Sequence, residues 1–441
     1  MTKFKDIIGY NEEKEELKHI CDMLKNQAKY KDRGIYIPKA ILLYGEPGMG
    51  KTTMAKALIT ESGRKCFSCK KNKANGEFVE EIRKVFEEAK NNAPSIVFLD
   101  DMDKFAEDNL ELNQNKEEFA TIQSCMEDLE DEDVFVIATA NYICLLPESL
   151  LRTGRFGRQM YIDMPDKKST EKIIDHYMNS TNIRCEISAK SLTNILIEKS
   201  PAVIKEVINE ANIASVFSGS NIVSKKDLIP AILRIITKEL EKNNGNINKE
   251  EVATHEAGHT IAALLNDKGV SLVTISGHKK FEGLTCFYNQ EKSVKYDLIK
   301  ELEIALAGKA AVELTGNSLD YGASKDLEDA ACIARKCIKQ DLYFGFDYGY
   351  NVNKYSNCQD YQKIHDVESK VYELLENVYN KTKQLIKDNI ELFNEIKNRL
   401  IEEETLLCDD INEIFNKYNN KIILNNNSFL DKQGTYCKTR P

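Results

Sequence analysis

A glycine-rich segment between an apolar run and a helical run most restricts the folds open to this chain. The run AILLY (40–44) predicts a buried β-strand, and TMAKALI after the segment predicts an α-helix. Between them the pattern G-x-x-x-x-G-K-[ST] is matched by Gly45, Glu46, Pro47, Gly48, Met49, Gly50, Lys51 and Thr52. Glycines let backbone N–H groups approach phosphate oxygens, and a helix N-terminus attracts negative charge. The segment therefore predicts a phosphate-binding loop in an α/β fold.

This loop predicts a site for ATP and Mg²⁺. Its backbone would surround the phosphates, and Lys51 would reach the β- and γ-phosphates. Thr52 would hold Mg²⁺, and Thr53 is included among the predicted nucleotide contacts.

The first 165 residues alternate short apolar runs with helical patterns, which favours a parallel sheet flanked by helices. Predicted strands cover 40–44, 95–99 and 134–139. The second strand ends in Asp100 and Asp101, and a carboxylate at this position lies beside the magnesium ion. Asp100 is therefore predicted to face Mg²⁺, and Asp101 to activate the attacking water. Beyond about residue 166, apolar residues at helical spacing predict a small helical lid.

The segment from Val134 to Asp166, VFVIATANYICLLPESLLRTGRFGRQMYIDMPD, resembles the second region of homology of AAA+ ATPases. The resemblance implies that Asn141 is a polar sensor near the γ-phosphate and that Arg155 and Arg158 are arginine fingers. Such a finger acts on the nucleotide of a neighbouring subunit, because its charge must meet the negative charge that develops there. The resemblance therefore implies a homo-oligomeric ring, a hexamer.

A second motif, HEAGH, lies inside the helical pattern EEVATHEAGHTIAALL. Helical residues four apart share a face, so His255 and His259 can bind one cation while Glu256 lies close enough to act on its bound water. A catalytic zinc ion usually has three protein ligands, so another ligand must come from elsewhere. From the residues alone, the open candidates are Asp320, Asp326, Glu328 and Asp329.

An AAA+ ATPase followed by a helical HEAGH domain resembles the FtsH-type ATP-dependent zinc metalloproteases. The similarity extends from FKDIIG (4–9) to the charged helices near 402–406 and so covers nearly the whole chain. In that family the third zinc ligand is an aspartate in a pattern close to G-A-S-x-D-[LI], which Asp326 matches. The resemblance thus implies Zn²⁺ on His255, His259 and Asp326, with Glu256 taking a proton from water during peptide hydrolysis. Glu313 is a candidate for the acid that orients a zinc histidine.

Composition excludes several classes of partner. The chain has 61 Lys and Arg against 71 Asp and Glu, a net charge of −10, so no sequence-wide basic surface could hold nucleic acid. Twelve cysteines without a framework fit a reducing compartment. The longest uncharged apolar stretch, 134–147, is too short to span a bilayer, and acids stand where a signal peptide would be apolar. We expect a cytoplasmic protein without direct membrane insertion.

Three features depart from the family. Typical members carry a membrane anchor ahead of the ATPase, whereas this chain begins at the ATPase with Met1, and we expect a naturally soluble relative.

The second departure concerns the catalytic acid: the family usually has Asp-Glu where this chain has Asp100 and Asp101. The shorter side chain retracts the carboxylate by more than ~1 Å, and such misplacement can cost about 10²-fold in rate. We expect weakened ATP hydrolysis rather than none.

The third departure concerns the pore loop, which carries an aromatic residue, an apolar residue and a glycine in the family. The matching positions here are Ala74, Asn75 and Gly76, so the aromatic residue is missing from a shortened, Lys-rich loop. Phe67 and Phe78 are the aromatic alternatives, although a phenylalanine before an apolar helical run usually belongs to the core.

The sequence therefore predicts an α/β AAA+ ATPase with a parallel sheet and helical lid, followed by a mainly helical zinc metallopeptidase domain. Predicted limits are 1–165 for the sheet subdomain, 166–240 for the lid, 241–249 for a linker, 250–424 for the peptidase and 425–441 for a polar tail. The leading hypothesis is an ATP-dependent zinc endopeptidase that acts on protein substrates. The alternative is a nucleotide-gated chaperone or assembly scaffold with weak peptidase activity on unfolded chains.

Overall fold

The computed structural model describes residues 2–71, 75–105, 117–181, 183–237, 248–276, 282–288, 297–316, 323–339 and 361–418. These residues form two compact units, one up to Ala231 and one from Ile232. The predicted linker lies largely outside the described residues, and its end, Lys249, begins a helix. The predicted tail lies wholly outside them. The predicted domain limits stay predictions.

A five-stranded parallel sheet forms the centre of the first unit, with strand order β2-β3-β4-β1-β5. Its strands are β1 (Ala40–Tyr44), β2 (Lys65–Cys69), β3 (Ser95–Leu99), β4 (Val134–Ala140) and β5 (Gln159–Tyr161). The three predicted strands are confirmed as β1, β3 and β4, whose residues are almost all buried. The sequence reading missed the two edge strands, because β2 is half exposed and β5 has only three residues.

Helices cover this sheet because their apolar residues recur on one face. The helices are α1 (Asn11–Lys25), α2 (Gln27–Lys31), α3 (Lys51–Ser62), α4 (Asn75–Lys90) and α5 (Glu117–Glu127). Of these, α1 packs on α3, and the short α2 has no buried residue. In α4, Phe78, Ile82 and Phe86 recur every four residues and pack into the core of the sheet. This packing holds α4 against β2 and β3, and β3 is the strand that Asp100 follows.

The predicted helical lid contains α6 (Lys167–Asn179), α7 (Ala189–Leu196), α8 (Pro201–Phe217) and α9 (Lys225–Thr237), with the short parallel strands β6 (Arg184–Cys185) and β7 (Ile222–Val223). Side chains cap three of these helices. Asp166 accepts from Ser169 N, and Ser188 and Ser200 cap α7 and α8 in the same way. Pro201 follows the last cap at the first helical position, where a missing N–H costs nothing.

The second unit is mainly helical, as predicted. Its helices are α10 (Lys249–Leu265), α11 (Leu298–Leu314), α12 (Ser324–Lys339), α13 (Tyr361–Asp388), α14 (Ile390–Glu403) and α15 (Cys408–Tyr418). An antiparallel sheet with order β10-β8-β9 was not predicted; its strands are β8 (Gly269–Thr274), β9 (Leu284–Tyr288) and β10 (Thr405–Leu407). All six β8 residues are buried, so no alternation marked it as a strand.

Small residues let α10 and α11 pack closely. Ala253 and Ala257 of α10 and Ala307 and Ala311 of α11 are fully buried in one core. A β-carbon on Gly258 would lie 2.5 Å from the carbonyl oxygen of Ala307, closer than any tolerated contact. The glycine inside HEAGH is therefore needed for helix packing. Within the described residues, no helix is both long and apolar enough to cross a membrane.

Candidate nucleotide and metal sites

The predicted phosphate-binding loop joins β1 to the N-terminus of α3 at Lys51. Gly45, Gly48 and Gly50 have φ angles of 147°, 83° and 92°, a region that favours glycine. A β-carbon on Gly45 would also lie 2.3 Å from Ile162 O. The remaining loop residues differ in burial: Met49 is buried, whereas Glu46, Pro47 and, in α3, Thr53 are exposed.

Lys51 is held by the loop itself. Its buried ammonium group donates to the carbonyl oxygens of Gly45 and Glu46, both at 2.7 Å, and to Asn141 Oδ1 at 2.9 Å. Burial lowers the pKa of this lysine. The structure therefore brings the predicted phosphate-binding lysine and the predicted sensor together at the ends of β1 and β4.

Thr52 and Asp100 also meet, as their predicted magnesium role requires. Thr52 Oγ1 donates to Asp100 Oδ1 at 2.8 Å, and Thr139 Oγ1 donates to the same oxygen at 2.9 Å. Thr139 in turn accepts from the backbone N–H of Asp101 at 2.9 Å. Sequence reasoning missed Thr139, although its place near the carboxyl end of a buried strand beside β3 was a usable signal.

Two lysines accompany the acids. Lys70 Nζ lies 3.3 Å from Asp100 Oδ2 and 3.4 Å from Asp101 Oδ2, and Lys104 Nζ lies 3.1 Å from Asp101 Oδ2. Burial alone would raise the pKa of Asp101, but Lys104 and Lys70 outweigh it and lower that pKa. Asp101 also has a φ of 56°, an uncommon backbone conformation for a residue other than glycine. The carboxylate of the predicted catalytic acid therefore lies beside two lysine ammonium groups.

The lid approaches the loop near Gly48. The carbonyl oxygen of Gly48 accepts a hydrogen bond from the backbone N–H of Ala202, at the N-terminus of α8, with an N···O distance of 3.3 Å. A β-carbon on Gly48 would lie 2.8 Å from Ser200 Oγ and 2.9 Å from Ala202 Cβ. This glycine therefore serves lid packing as well as the backbone turn.

Both predicted arginine fingers contact acids of their own chain. Arg155 forms an ion pair with Glu127 and also donates to Ser149 O. Arg158 binds Glu16 Oε1, with Nη2 at 3.0 Å. Their action on a neighbouring subunit stays a prediction.

The pore-loop positions lie largely outside what the structure describes: Ala74 is outside it, and of Asn75 and Gly76 only the backbone at the start of α4 is described. Both aromatic alternatives pack on the core. Phe78 is fully buried and contacts Phe105 edge-on, with ring centroids 4.9 Å apart, whereas Phe67 is partly buried against the sheet core.

Three side chains from two helices form a cluster in the second unit. His255 and His259 come from consecutive turns of α10, and Asp326 comes from the first turn of α12. Asp326 Oδ2 lies 2.9 Å from His255 Nε2 and 3.2 Å from His259 Nε2, and the two nitrogens are 3.0 Å apart. Among the described residues, these three form the group of His, Cys, Asp and Glu that could hold a metal ion.

The donor set fits zinc. Ligand atoms about 2.0–2.1 Å from a tetrahedral ion are about 3.3 Å from one another, close to the separations in this cluster. His259 Nδ1 donates to the carbonyl oxygen of Ile304 at 2.7 Å, which leaves Nε2, the nitrogen that lies near Asp326, as the ring atom that can bind a metal ion. Burial alone would raise the pKa of Asp326, but its bonds to both histidines hold that pKa well below the usual range.

Glu256 lies on the same helix as the histidines and is buried, with 6% of its surface exposed. Burial raises its pKa, whereas the two histidines and Thr285 oppose this shift. Thr285 Oγ1 of β9 donates to Glu256 Oε2 at 2.5 Å. Sequence reasoning missed Thr285 because β9 itself was not predicted.

The orientation of His259 also differs from expectation. The candidate Glu313 accepts from Tyr379 and from Lys383 Nζ of α13, the latter at 2.6 Å. The group that orients His259 is instead the backbone carbonyl of Ile304. No side-chain pattern could have singled out a main-chain oxygen.

Comparison with known proteins matches both units. Residues 41–164 match the ATPase family associated with various cellular activities (AAA), and residues 244–414 match peptidase family M41. The fold and sites thus define a chain that joins an AAA ATPase domain to an M41 peptidase domain.

Relatives of the whole chain narrow this class. The ATP-dependent zinc metalloprotease FtsH of Ruminiclostridium cellulolyticum is 30% identical over 93% of this chain and 71% of its own length. Proteins of the same name from Parabacteroides distasonis and Bacillus subtilis are 30% and 28% identical over 94% of this chain, which spans 64% and 70% of their lengths. The chain belongs to the FtsH family of ATP-dependent zinc metalloproteases.

Proposed function

We propose that this protein is an ATP-dependent zinc endopeptidase. The observation that carries the proposal is the convergence of His255, His259 and Asp326 at 2.9–3.2 Å, with Glu256 on the same helix. The names of the relatives specify ATP and zinc, and the donor atoms fit that ion. The whole protein's activity, substrates and partners are part of this proposal.

The peptidase residues have separable roles. Zinc bound by the cluster would acidify a water molecule and polarise the scissile carbonyl. Glu256 takes a proton from the attacking water and returns it to the leaving amine. Thr285 holds one carboxylate oxygen of Glu256, which directs the other toward the reacting atoms. Ile304 O holds the ring of His259 with Nε2 toward the ion.

The ATPase residues act on a triphosphate bound at the loop between β1 and α3. Lys51 would exchange the carbonyl oxygens of Gly45 and Glu46 for phosphate oxygens, and Thr52 and Asp100 would hold Mg²⁺. Asp101 orients the attacking water, and Asn141 lies beside the lysine that meets the γ-phosphate. We propose that Arg155 and Arg158 break their ion pairs with Glu127 and Glu16 and reach the nucleotide of a neighbouring subunit. This action requires a homo-oligomeric ring, which we propose is a hexamer.

The substrates are proposed to be polypeptides. Degradation would be followed for a folded, tagged protein and for unstructured casein, with ATP, without ATP and with a zinc chelator. We expect ATP-dependent loss of the folded protein and chelator-sensitive loss of both. Glu256→Gln should stop both cleavages while leaving ATP hydrolysis intact, and Lys51→Ala should protect the folded protein most. A Glu256→Gln variant that degrades both proteins like wild type would contradict the proposal.

A second candidate is a nucleotide-gated chaperone or scaffold with weak peptidase activity. Asp101, with its short side chain and its contacts to Lys70 and Lys104, favours slow ATP turnover. Chelator-sensitive loss of casein alone, with the folded protein untouched, would support this candidate.

A further inference from the structure

The absence of a side chain at Gly308 leaves room beside the metal-binding cluster. Gly308 lies in α11, and a β-carbon built on it would be 2.5 Å from His259 Nε2 and 2.6 Å from His255 Nε2. Real β-carbons essentially never come within 3.0 Å of another heavy atom in this way. Both donor nitrogens can therefore occupy their places only because residue 308 has no side chain.

The ring of His259 is not free to turn away. The ring of His259 is held by Ile304 O, which lies on α11 one turn before Gly308. Residues four apart share a face of a helix, so Ile304 and Gly308 lie on the same face of α11. On that face, Ile304 O binds Nδ1 of His259, and Gly308 leaves space for Nε2 of the same ring. A methyl group at 308 must displace the rings from the geometry that converges on Asp326.

Gly283 has the same relation to Glu256. A β-carbon on Gly283, just before β9, would lie 2.6 Å from Glu256 Oε1 and 2.7 Å from both Glu256 Cγ and Val252 Cγ1. Neither Gly283 nor Gly308 has a backbone in the left-handed region, so alanine can adopt both conformations. Steric overlap with the site is thus the main consequence of either substitution.

We infer that Gly308 and Gly283 are positioning residues that shape the two halves of the peptidase site separately, the metal ligands by Gly308 and the general base by Gly283. This inference rests on the proposed function, because it assigns the cluster to zinc and Glu256 to proton transfer. It predicts that one substitution removes metal without touching the base, and that the other displaces the base without removing metal.

The test for Gly308 uses the full chain and measures metal rather than activity. We expect Gly308→Ala to weaken zinc binding by at least about 10–100-fold and to change the visible spectrum of the Co²⁺-loaded protein. In chelator its melting temperature should fall only a few degrees below that of the metal-free wild type, because the higher helix propensity of alanine offsets part of the cost of displacing the two rings. The matched control is Lys309→Ala on the same helix, which should bind zinc normally.

Two results would overturn this half of the inference. One is wild-type zinc affinity in Gly308→Ala. The other is a metal-free Gly308→Ala protein that melts well below the metal-free wild type, since this would mean that residue 308 serves the fold. A wild-type chain that binds zinc but cleaves no peptide would refute the proposed function, whereas the effect of Gly308→Ala on zinc affinity could still be measured.

The test for Gly283 is a double-mutant cycle. Gly283→Ala should retain zinc and lose about 10²-fold in kcat with little change in KM, because the carboxylate is displaced by about 1 Å. In a Glu256→Gln background the same substitution should have no further effect, whereas Glu282→Ala serves as the exposed neighbour control. An additive effect of the two substitutions, or loss of zinc from Gly283→Ala, would show that Gly283 does not act through Glu256.

Discussion

The nucleotide site and the metal site are organised in opposite ways. At the nucleotide site, the key charges are satisfied by the chain itself: Lys51 binds loop carbonyls, and Asp100 and Asp101 face Lys70 and Lys104. At the metal site, two imidazoles and a carboxylate direct their donor atoms at one point. The first site must exchange partners to bind its ligand, whereas the second is already arranged for its ion. We therefore expect substitutions to have all-or-none effects at the metal site and graded effects at the nucleotide site.

The largest effect should come from His259→Ala. We expect loss of bound zinc and a fall in peptide hydrolysis of more than about 10⁴-fold, because both water activation and carbonyl polarisation depend on the ion. Metal analysis and casein cleavage would measure the two losses. His176→Ala, at an exposed histidine of the lid, is the control. ATP hydrolysis that falls together with zinc would break the contrast between the sites.

Lys51→Ala should have the next largest effect. Removing the ammonium group should lower ATP hydrolysis by about 10²–10³-fold, as for other groups that stabilise developing charge, and leave zinc content unchanged. Release of inorganic phosphate would measure it, with Lys56→Ala on the exposed face of α3 as control. If Lys51→Ala hydrolyses ATP normally, the loop does not bind the γ-phosphate as proposed.

Asp101→Glu should act in the opposite direction. The longer side chain advances the carboxylate by more than ~1 Å, so ATP hydrolysis should rise, by up to about 10²-fold. Asp101→Asn should lower the rate, since an amide is no base. A wild-type protein that binds ATP but hydrolyses none above background would contradict the expectation of weakened turnover.

Lys70→Gln should have the smallest effect. Its ammonium group competes with Mg²⁺ for the carboxylates of Asp100 and Asp101, but the lysine side chain is 60% exposed, so the competition is screened by water. We expect a few-fold lower Mg²⁺ concentration for half-maximal binding of a fluorescent ATP analogue. Lys65→Gln, at the other end of β2, should leave that concentration unchanged. If Lys70→Gln leaves this Mg²⁺ concentration unchanged, the lysine does not compete with Mg²⁺, and the contrast between the nucleotide site and the metal site is wrong at this point.

Much of each site was readable where its residues are close in the chain. The loop from Gly45 to Thr52 carries its own geometry, because glycine conformations and a helix N-terminus are local properties. HEAGH is local as well, since helical periodicity alone brings His255 and His259 to one face. The buried runs of β1, β3 and β4 predicted the centre of the sheet for the same reason.

Tertiary packing decided the rest. Among the acids after HEAGH, the residues alone left the third metal-facing group open; the structure brings Asp326 there because α12 starts beside α10 and α11. Four further groups at the site are 25 or more residues away in sequence from the side chain that each one contacts: Ile304 O, Thr285, Gly308 and Gly283. Periodicity determines which face of an element is apolar, but the packing of the elements determines which distant groups meet. A glycine whose role is to leave space has no functional group, so its residue type alone does not reveal that role.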